Sequence, residues 1–313
     1  MKIIITGATS FIGASIIRCL MQNSENYIWA IIRPNSVNRK RIPISKNVSV
    51  IELDMLDIEN VSTYIDEDVD VFFHLAWEGV RAPFRDDQRI QVKNYEAAKK
   101  AIETCRKLNI KKFIGCGSQA EYGYMNGEIK EDYPCNPLTE YGKYKYKSCC
   151  EIIEYARKYK IECIWGRVFS IYGPGDYAGS LIMTCIDKMM KNEEVALTEC
   201  TQNWDYLYID DAAEVFVKFA QTKCESGIYN IASGETHVLK YYIENIKHIL
   251  DSDSKLDYGK IPYPDTGKVS FIPDISKLKN ELDWSAKTDF TKGVSNIIRG
   301  KTDEKNKYCS TNL

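Results

Sequence analysis

Short apolar runs alternate with amphipathic stretches along the first half of the chain. The stretches at 11–20, 86–108 and 141–159 repeat their apolar residues at helical spacing. The apolar runs have the length of strands and resemble strands that are covered on both faces; they lie at 2–6, 27–32, 48–53, 69–76 and 161–165. The pattern therefore predicts an α/β fold built on a doubly wound parallel sheet.

The pattern changes after residue 166. The predicted elements become shorter and of mixed type, which indicates a smaller C-terminal α/β substrate-binding domain over 167–300 after a first domain over 1–166. Residues 301–313 are polar and rich in lysine, so we expect a mobile tail there.

The turn after the first apolar run contains Gly7 and Gly13, and a helical pattern follows it. Such a strand-turn-helix unit presents backbone N–H groups and a helix N-terminus to a pyrophosphate, with glycine where the backbone must approach closely. Ser10 stands where a middle glycine would be expected, but its hydroxyl can donate to a phosphate. The turn predicts a Rossmann-like dinucleotide site, and a plain tight turn without a ligand is the alternative.

The second apolar run ends at Arg33, where an NAD site usually has an acid for the ribose 2′-hydroxyl. A guanidinium suits a 2′-phosphate, and residues 39–41 add positive charge nearby. The prediction is therefore NADP(H), with NAD(H) possible and a solvated basic loop as the alternative.

Tyr141 and Lys145 are four residues apart in a predicted helix, so they project from the same face. A nearby ammonium favours the phenolate and would lower the tyrosine pKa toward the range that is useful for proton transfer. Tyr141 is therefore a candidate general acid or base. An ordinary helix surface that carries a tyrosine and a lysine would show the same spacing, so the order of the surrounding motifs has to decide between a catalytic and a surface role.

With these motifs in this order, the chain resembles the extended short-chain dehydrogenase/reductases, in the NAD-dependent epimerase/dehydratase family that acts on nucleotide sugars. The resemblance extends to about residue 298 and implies a catalytic set of Ser118, Tyr141 and Lys145. The implied cofactor-binding residues are Gly7, Thr9, Ser10, Phe11, Ile12, Gly13, Arg33, Asp54, Met55, Leu75, Ala76, Trp77, Asn94, Tyr141, Lys145 and Val168. The implied substrate-binding residues are Trp77, Ser118, Gln119, Tyr141 and Ser170.

The resemblance also implies that part of 206–233 rejoins the first domain. It further implies a nucleotide-diphosphate sugar as substrate and a homodimer formed through helices such as 86–108 and 141–159.

The residues after Ser118 distinguish among the reactions of the family. Its 4,6-dehydratases have an Asp-Glu pair that corresponds here to Gln119 and Ala120, neither of which can act as an acid or base. Glu121 lies one place too late, and we expect a structural role for it. Dehydration is therefore disfavoured.

Two reactions remain: a 4-epimerase that retains NAD, and a reductase that uses NADPH on a 4-keto sugar. Arg33, with the resemblance at 73–79 and 202–206, favours reduction of a nucleotide-linked 4-keto-6-deoxyhexose. A non-catalytic NADP-binding sensor is a remote alternative, which the complete catalytic set disfavours.

The substrate itself stays open. Trp204 replaces the arginine that meets the substrate diphosphate in the epimerase pattern, so another cation takes over or the diphosphate is held differently. Ser170 stands where the epimerases often have an asparagine. The nucleotide, the sugar and the stereochemistry at C4 cannot be read from these residues.

Composition restricts the remaining possibilities. The 313 residues are 44% hydrophobic with a net charge of −2, which gives no electrostatic reason to expect nucleic acid or an anionic membrane as a partner. No run reaches the roughly 18 apolar residues of a membrane span, and we expect a cytoplasmic protein without a signal peptide. The 11 cysteines form no C-x-x-C pair and the 3 histidines are scattered, so we expect reduced thiols and no metal site.

Overall fold

The computed structural model describes residues 1–264 and 267–310, with the side chains of 1–264 and 267–303. The strands are β1 (Lys2–Thr6), β2 (Tyr27–Ile32), β3 (Val48–Glu52), β4 (Val71–His74), β5 (Lys112–Ser118), β6 (Asn126–Ile129), β7 (Glu162–Val168), β8 (Ser170–Tyr172), β9 (Val195–Ala196), β10 (Asn203–Tyr208), β11 (Gly227–Ile231), β12 (Thr236–Val238), β13 (Leu256–Asp257) and β14 (Ser270–Pro273). The helices are α1 (Phe11–Leu20), α2 (Gln88–Lys107), α3 (Glu140–Tyr159), α4 (Leu181–Met189), α5 (Ile209–Gln221), α6 (Leu239–Ile249), α7 (Ser276–Leu282) and α8 (Phe290–Ser310).

A seven-stranded parallel sheet forms the centre of the molecule, in the order β11-β7-β5-β4-β1-β2-β3. This confirms the predicted doubly wound parallel sheet. From β1 the chain builds outward through β2 and β3, and then returns to place β4 on the other side of β1. The connections that follow β1 and β4 therefore diverge, and a crevice opens at the carboxyl ends of these two strands.

Alternate residues of the central strands pack against different helices. Ile3 and Ile5 belong to the apolar cluster that contains α1 and α5, whereas Ile4 belongs to the cluster that contains α2 and α3. All three isoleucines are fully buried. This two-sided burial explains why the strands read as continuous apolar runs rather than as an alternating pattern.

The rest of the chain forms small sheets and helices beside the carboxyl ends of the main sheet. The small sheets are β12-β10-β8, β13-β9 and β14-β6. Phe271 of β14 is fully buried, with its ring centroid 5.4 Å from that of Phe169 and 4.6 Å from that of Trp204. This contact joins β14 to the segment around β8 and to β10.

The division at residue 166 stays a prediction, although β11, which lies within 206–233, is a strand of the central sheet. Helix α8 continues to Ser310, past the start of the predicted tail at residue 301. Mobility of that segment also stays a prediction, and residues 311–313 lie outside the described residues. Within the described ranges, none of the helices has both the length and the apolar character that a bilayer crossing needs.

Candidate active site

A cleft of about 970 Å³ lies at the crevice between the carboxyl ends of β1 and β4. Its walls come from the turn after β1, the loop between β4 and α2, the end of β5, the first turns of α3, and the segment from β8 to α4. Residues that are distant in sequence therefore meet around one space.

Gly7 and Gly13 allow the backbone to close tightly at the base of the cleft. Gly7 has φ +67°, and a Cβ on it would lie 2.7 Å from the backbone nitrogen of Ala76. A Cβ on Gly13 would lie 2.4 Å from the carbonyl oxygen of Gly7. Ser10 caps α1, because its Oγ accepts the Gly13 N–H at 3.0 Å. The Ser10 hydroxyl hydrogen remains available for a phosphate, so the turn fits the pyrophosphate of a dinucleotide.

Most of the predicted site residues line the cleft. Two of them do not. Gly13 lies in the first turn of α1 and is not on the cleft wall. Gln119 begins a short 3₁₀ turn after β5 and is also not on the wall; its Oε1 is buried without a hydrogen-bond partner. The predicted residues on the wall are Gly7, Thr9, Ser10, Phe11, Ile12, Arg33, Asp54, Met55, Leu75, Ala76, Trp77, Asn94, Ser118, Tyr141, Lys145, Val168 and Ser170.

Two of the guanidinium groups on the cleft wall come from residues that follow β2, Arg33 and Arg41. Arg33 forms an exposed ion pair with Glu78, and Arg41 donates from Nη1 to the carbonyl oxygen of Thr9 at 3.5 Å. Asn94 holds the Glu78 backbone on both sides, accepting its N–H at 2.9 Å and donating to its carbonyl oxygen at 2.8 Å. Asn94 therefore also orients the residue that pairs with Arg33.

Tyr141 has a raised pKa, and the physical cause is burial of the phenol. Two contacts favour the phenolate: a hydrogen bond from Ser118 and the charge of Arg85, whose Cζ lies 5.3 Å from the ring centroid. Their effect on the pKa is smaller than that of burial. This corrects the expectation that Lys145 lowers the tyrosine pKa. Tyr141 is a protonated phenol at neutral pH.

Lys145 is 4% exposed and lies under an aromatic ring. Its Nζ donates to the carbonyl oxygen of Cys116 at 2.7 Å and lies 3.7 Å from the ring centroid of Trp77. Burial lowers the pKa of Lys145 to about 8. The Trp77 ring is held in turn by a 2.8 Å hydrogen bond from its Nε1 to Gln91.

The sequence predicts that the substrate binds at the end of the cleft where the family resemblance implies an arginine in the epimerase pattern. Trp204 occupies that place, and its Nε1 donates to the Oγ of Ser170 at 2.9 Å. Arg81 lines the same end: it lies 3.8 Å from Asp176, and its Cζ is 4.3 Å from the centroid of the Tyr177 ring. Asp176 and Tyr177 were not predicted as site residues, because only the glycine-rich turn before them distinguishes them in the sequence.

No group of three or more His, Cys, Asp or Glu side chains that could hold a metal ion occurs in the described part of the chain. The cleft offers a nucleotide-sized space with a phenol, a hydroxyl and an amine at its centre.

Comparison with known proteins places these features in a family. Residues 3–232 match the model of the NAD dependent epimerase/dehydratase family. The chain is 26% identical to CDP-abequose synthase from Salmonella muenchen, over 96% of this chain and 98% of that protein. It is 28% identical to a putative UDP-glucose 4-epimerase from Methanocaldococcus jannaschii, over 95% of this chain and 97% of the other.

Solved structures agree at the level of the fold. The UDP-glucuronic acid 4-epimerase from Bacillus cereus, in complex with UDP-glucuronic acid and NAD, aligns with a TM-score of 0.83 and 26% identity, over 96% of this chain and 99% of the other. The UDP-glucose 4-epimerase from Thermotoga maritima with UDP-glucose aligns with a TM-score of 0.85 and 22% identity, over 97% and 99%.

Burial of Lys145 predicts a specific pH dependence of stability. Its pKa is about 8 in the folded chain and 10.5 ordinarily, so between these values the unfolded chain binds more protons. The free energy of unfolding of the wild type should therefore rise by on the order of 3 kcal/mol as the pH increases from about 8 to about 10.5. Lys145→Met should lack this rise. Urea denaturation of the wild type and of Lys145→Met from pH 7.5 to 10.5 measures the difference in unfolding free energy. Titratable groups that both proteins share cancel in this difference.

Lys147→Met, an exposed lysine of the same helix, is the matched control and should keep the wild-type pH profile. Parallel stability curves for the wild type and Lys145→Met would contradict the buried-amine interpretation.

Proposed function

The chain belongs to the NAD-dependent epimerase/dehydratase family, and from this we propose that it is an NADPH-dependent reductase of a nucleotide-linked 4-keto-6-deoxyhexose. The product would be the nucleotide 6-deoxy sugar used in polysaccharide or glycan biosynthesis. The observation that carries the proposal is Arg33, which lies on the cleft wall after β2, where an NAD enzyme of this fold would have an acid.

The catalytic work of the chain divides among three side chains. A bound nicotinamide would supply the hydride. Tyr141 donates the proton that the C4 oxygen takes up. Burial keeps the phenol protonated but also makes it a weaker acid, so the transfer depends on the strong basicity of the developing alkoxide. Ser118 donates a hydrogen bond to the same oxygen as negative charge develops on it. Lys145 would hold the ribose hydroxyls next to the nicotinamide.

Cofactor choice follows from charge at the end of β2. The guanidinium groups of Arg33 and Arg41 line the same cleft, and a 2′-phosphate would replace Glu78 as the partner of Arg33. A ribose with a free 2′-hydroxyl offers no such charge, so the cleft favours NADPH.

A nucleotide-sugar 4-epimerase is the second candidate. Similarity to the two solved 4-epimerases described above favours it, and one of these structures contains NAD. Trp204 counts against it, because the substrate end then lacks the arginine of the epimerase pattern.

The direct test measures NADPH oxidation at 340 nm with CDP-, dTDP-, UDP- and GDP-linked 4-keto-6-deoxy sugars, each generated in situ by a dehydratase, with NADH in parallel. We expect stoichiometric NADPH consumption with one of the nucleotides. Interconversion of ordinary nucleotide hexoses on retained NAD, without NADPH consumption, would identify the epimerase instead.

Tyr141→Phe removes the proton donor and keeps the ring. We expect turnover to fall by roughly 10²–10⁴ while the fold is kept, because this is the usual contribution of general acid catalysis. Tyr144→Phe on the same helix is the control, since Tyr144 lies outside the cleft wall. Normal turnover by Tyr141→Phe would remove Tyr141 from the mechanism.

Arg33→Ala tests the cofactor preference. Loss of a charge-assisted contact to a 2′-phosphate should lower the ratio of kcat/KM for NADPH to that for NADH by roughly 10- to 100-fold. Arg39→Ala should leave the ratio unchanged, because Arg39 pairs with Glu52 outside the cleft wall. An unchanged ratio for Arg33→Ala would refute the assignment of Arg33.

A further inference from the structure

Glu121 and Arg167 form an ion pair directly behind the candidate catalytic residues. Glu121 is 0% exposed and Arg167 is 1% exposed. The Nε of Arg167 donates to Oε2 of Glu121 at 2.8 Å. Neither side chain lines the cleft, so neither is placed to touch a substrate or cofactor.

The other carboxylate oxygen holds the backbone of the catalytic serine. Oε1 of Glu121 accepts the Ser118 N–H at 2.8 Å and the Nε1–H of Trp165 at 2.9 Å. The Ser118 Oγ accepts the N–H of Ala120 at 3.2 Å. Both the backbone and the side-chain oxygen of Ser118 are therefore held, and its hydroxyl hydrogen is directed toward Tyr141 on the cleft wall.

The end of β5 is shaped around this carboxylate. A Cβ on Gly117 would lie 2.3 Å from Nε1 of Trp165 and 2.6 Å from Oε1 of Glu121. A Cβ on Gly115 would lie 2.3 Å from Cε3 of Trp165. The end of β5, which carries Ser118, thus packs directly against the Trp165 indole and the Glu121 carboxylate.

Stability alone is a weak reason for such a pair, because apolar residues of similar volume can replace a buried ion pair at little cost in folding. An apolar pair could not accept the Ser118 N–H. The carboxylate therefore serves as acceptor for two donors, the Trp165 Nε1–H and the Ser118 N–H, and the second of these leads to the candidate catalytic serine.

We propose that Glu121 is a positioning residue for the reaction, acting through Ser118, and that Arg167 supplies the charge that keeps its carboxylate in place. The inference rests on the proposed function only in so far as Ser118 takes part in turnover. A positioning role for Glu121 differs from a purely structural one in its effect on turnover: removing the Glu121 carboxylate should lower the rate only when the Ser118 hydroxyl is present.

The test is a double-mutant cycle of Glu121→Gln and Ser118→Ala, read on the turnover that the substrate panel establishes. Glutamine keeps the shape but puts an NH₂ group against either the Ser118 N–H or the guanidinium. We expect kcat to fall by roughly 10- to 100-fold with KM for the sugar nearly unchanged, as for a slightly misplaced catalytic group. In the Ser118→Ala background, Glu121→Gln should have almost no further effect.

Equal fold-losses in both backgrounds, or a loss that appears in KM, would overturn the inference. Full turnover by Ser118→Ala would instead show that the reaction does not use Ser118, which is a failure of the proposed mechanism. Glu131→Gln is the matched control. The backbone carbonyl oxygen of Glu131 accepts a hydrogen bond from Arg167, so this residue lies beside the pair. Its carboxylate accepts the Asn230 N–H at 3.0 Å and not the Ser118 N–H. It should keep wild-type kcat.

A second variant guards against misfolding of Glu121→Gln. Glu121→Leu combined with Arg167→Met replaces the pair by apolar side chains and leaves no buried charge without a partner. We expect it to fold with a lowered thermal midpoint, because the Ser118 N–H and the Trp165 Nε1–H have lost their acceptor. Its kcat should be low at temperatures where it is fully folded, and wild-type kcat there would refute the positioning role.

Discussion

The close approach of two backbones at Gly7 is the constraint on which the cleft depends. The turn after β1 lies against the segment after β4, with no room for a Cβ between Gly7 and Ala76. Thr6 joins the same strand ends, since its Oγ1 accepts the Leu75 N–H at 3.2 Å and lies 3.3 Å from the carbonyl oxygen of Phe73, to which it donates. Because the chain continues from β1 to β2 on one side and from β4 to β5 on the other, the two connections diverge, and the space between them forms the candidate site.

Burial then sets the chemistry at the centre of that space. It raises the pKa of Tyr141 and lowers the pKa of Lys145, so both shifts favour the uncharged form. The phenol keeps its proton, and the amine lies close to the pH at which it can lose one.

The fold could be predicted largely from the sequence, because strands buried on both faces have a local signature. The bounds of β2 agree with the predicted run at 27–32, and α3 begins at Glu140, one residue before the predicted start. The cofactor turn and the pair Tyr141 and Lys145 were likewise visible as short motifs. Their position on the cleft wall follows from the order of the strands.

What the sequence could not reveal depends on contacts between distant residues. The raised pKa of Tyr141 comes from packing around the phenol, which its neighbours in the chain do not determine. We expected a structural role for Glu121, but its partners Trp165 and Arg167 come from another strand and could not be read from the sequence. Gln119 looked like a substrate ligand because it follows Ser118, yet the turn there keeps it off the wall.

Arg81 and Asp176 contribute a loose ion pair to the cleft wall. Nη2 of Arg81 lies 3.8 Å from Oδ1 of Asp176, beyond the distance of a hydrogen bond, and the two side chains are 54% and 7% exposed. Because the guanidinium is open to water, added salt screens its charge. The positive charge that this part of the cleft presents to an anion therefore weakens as ionic strength rises.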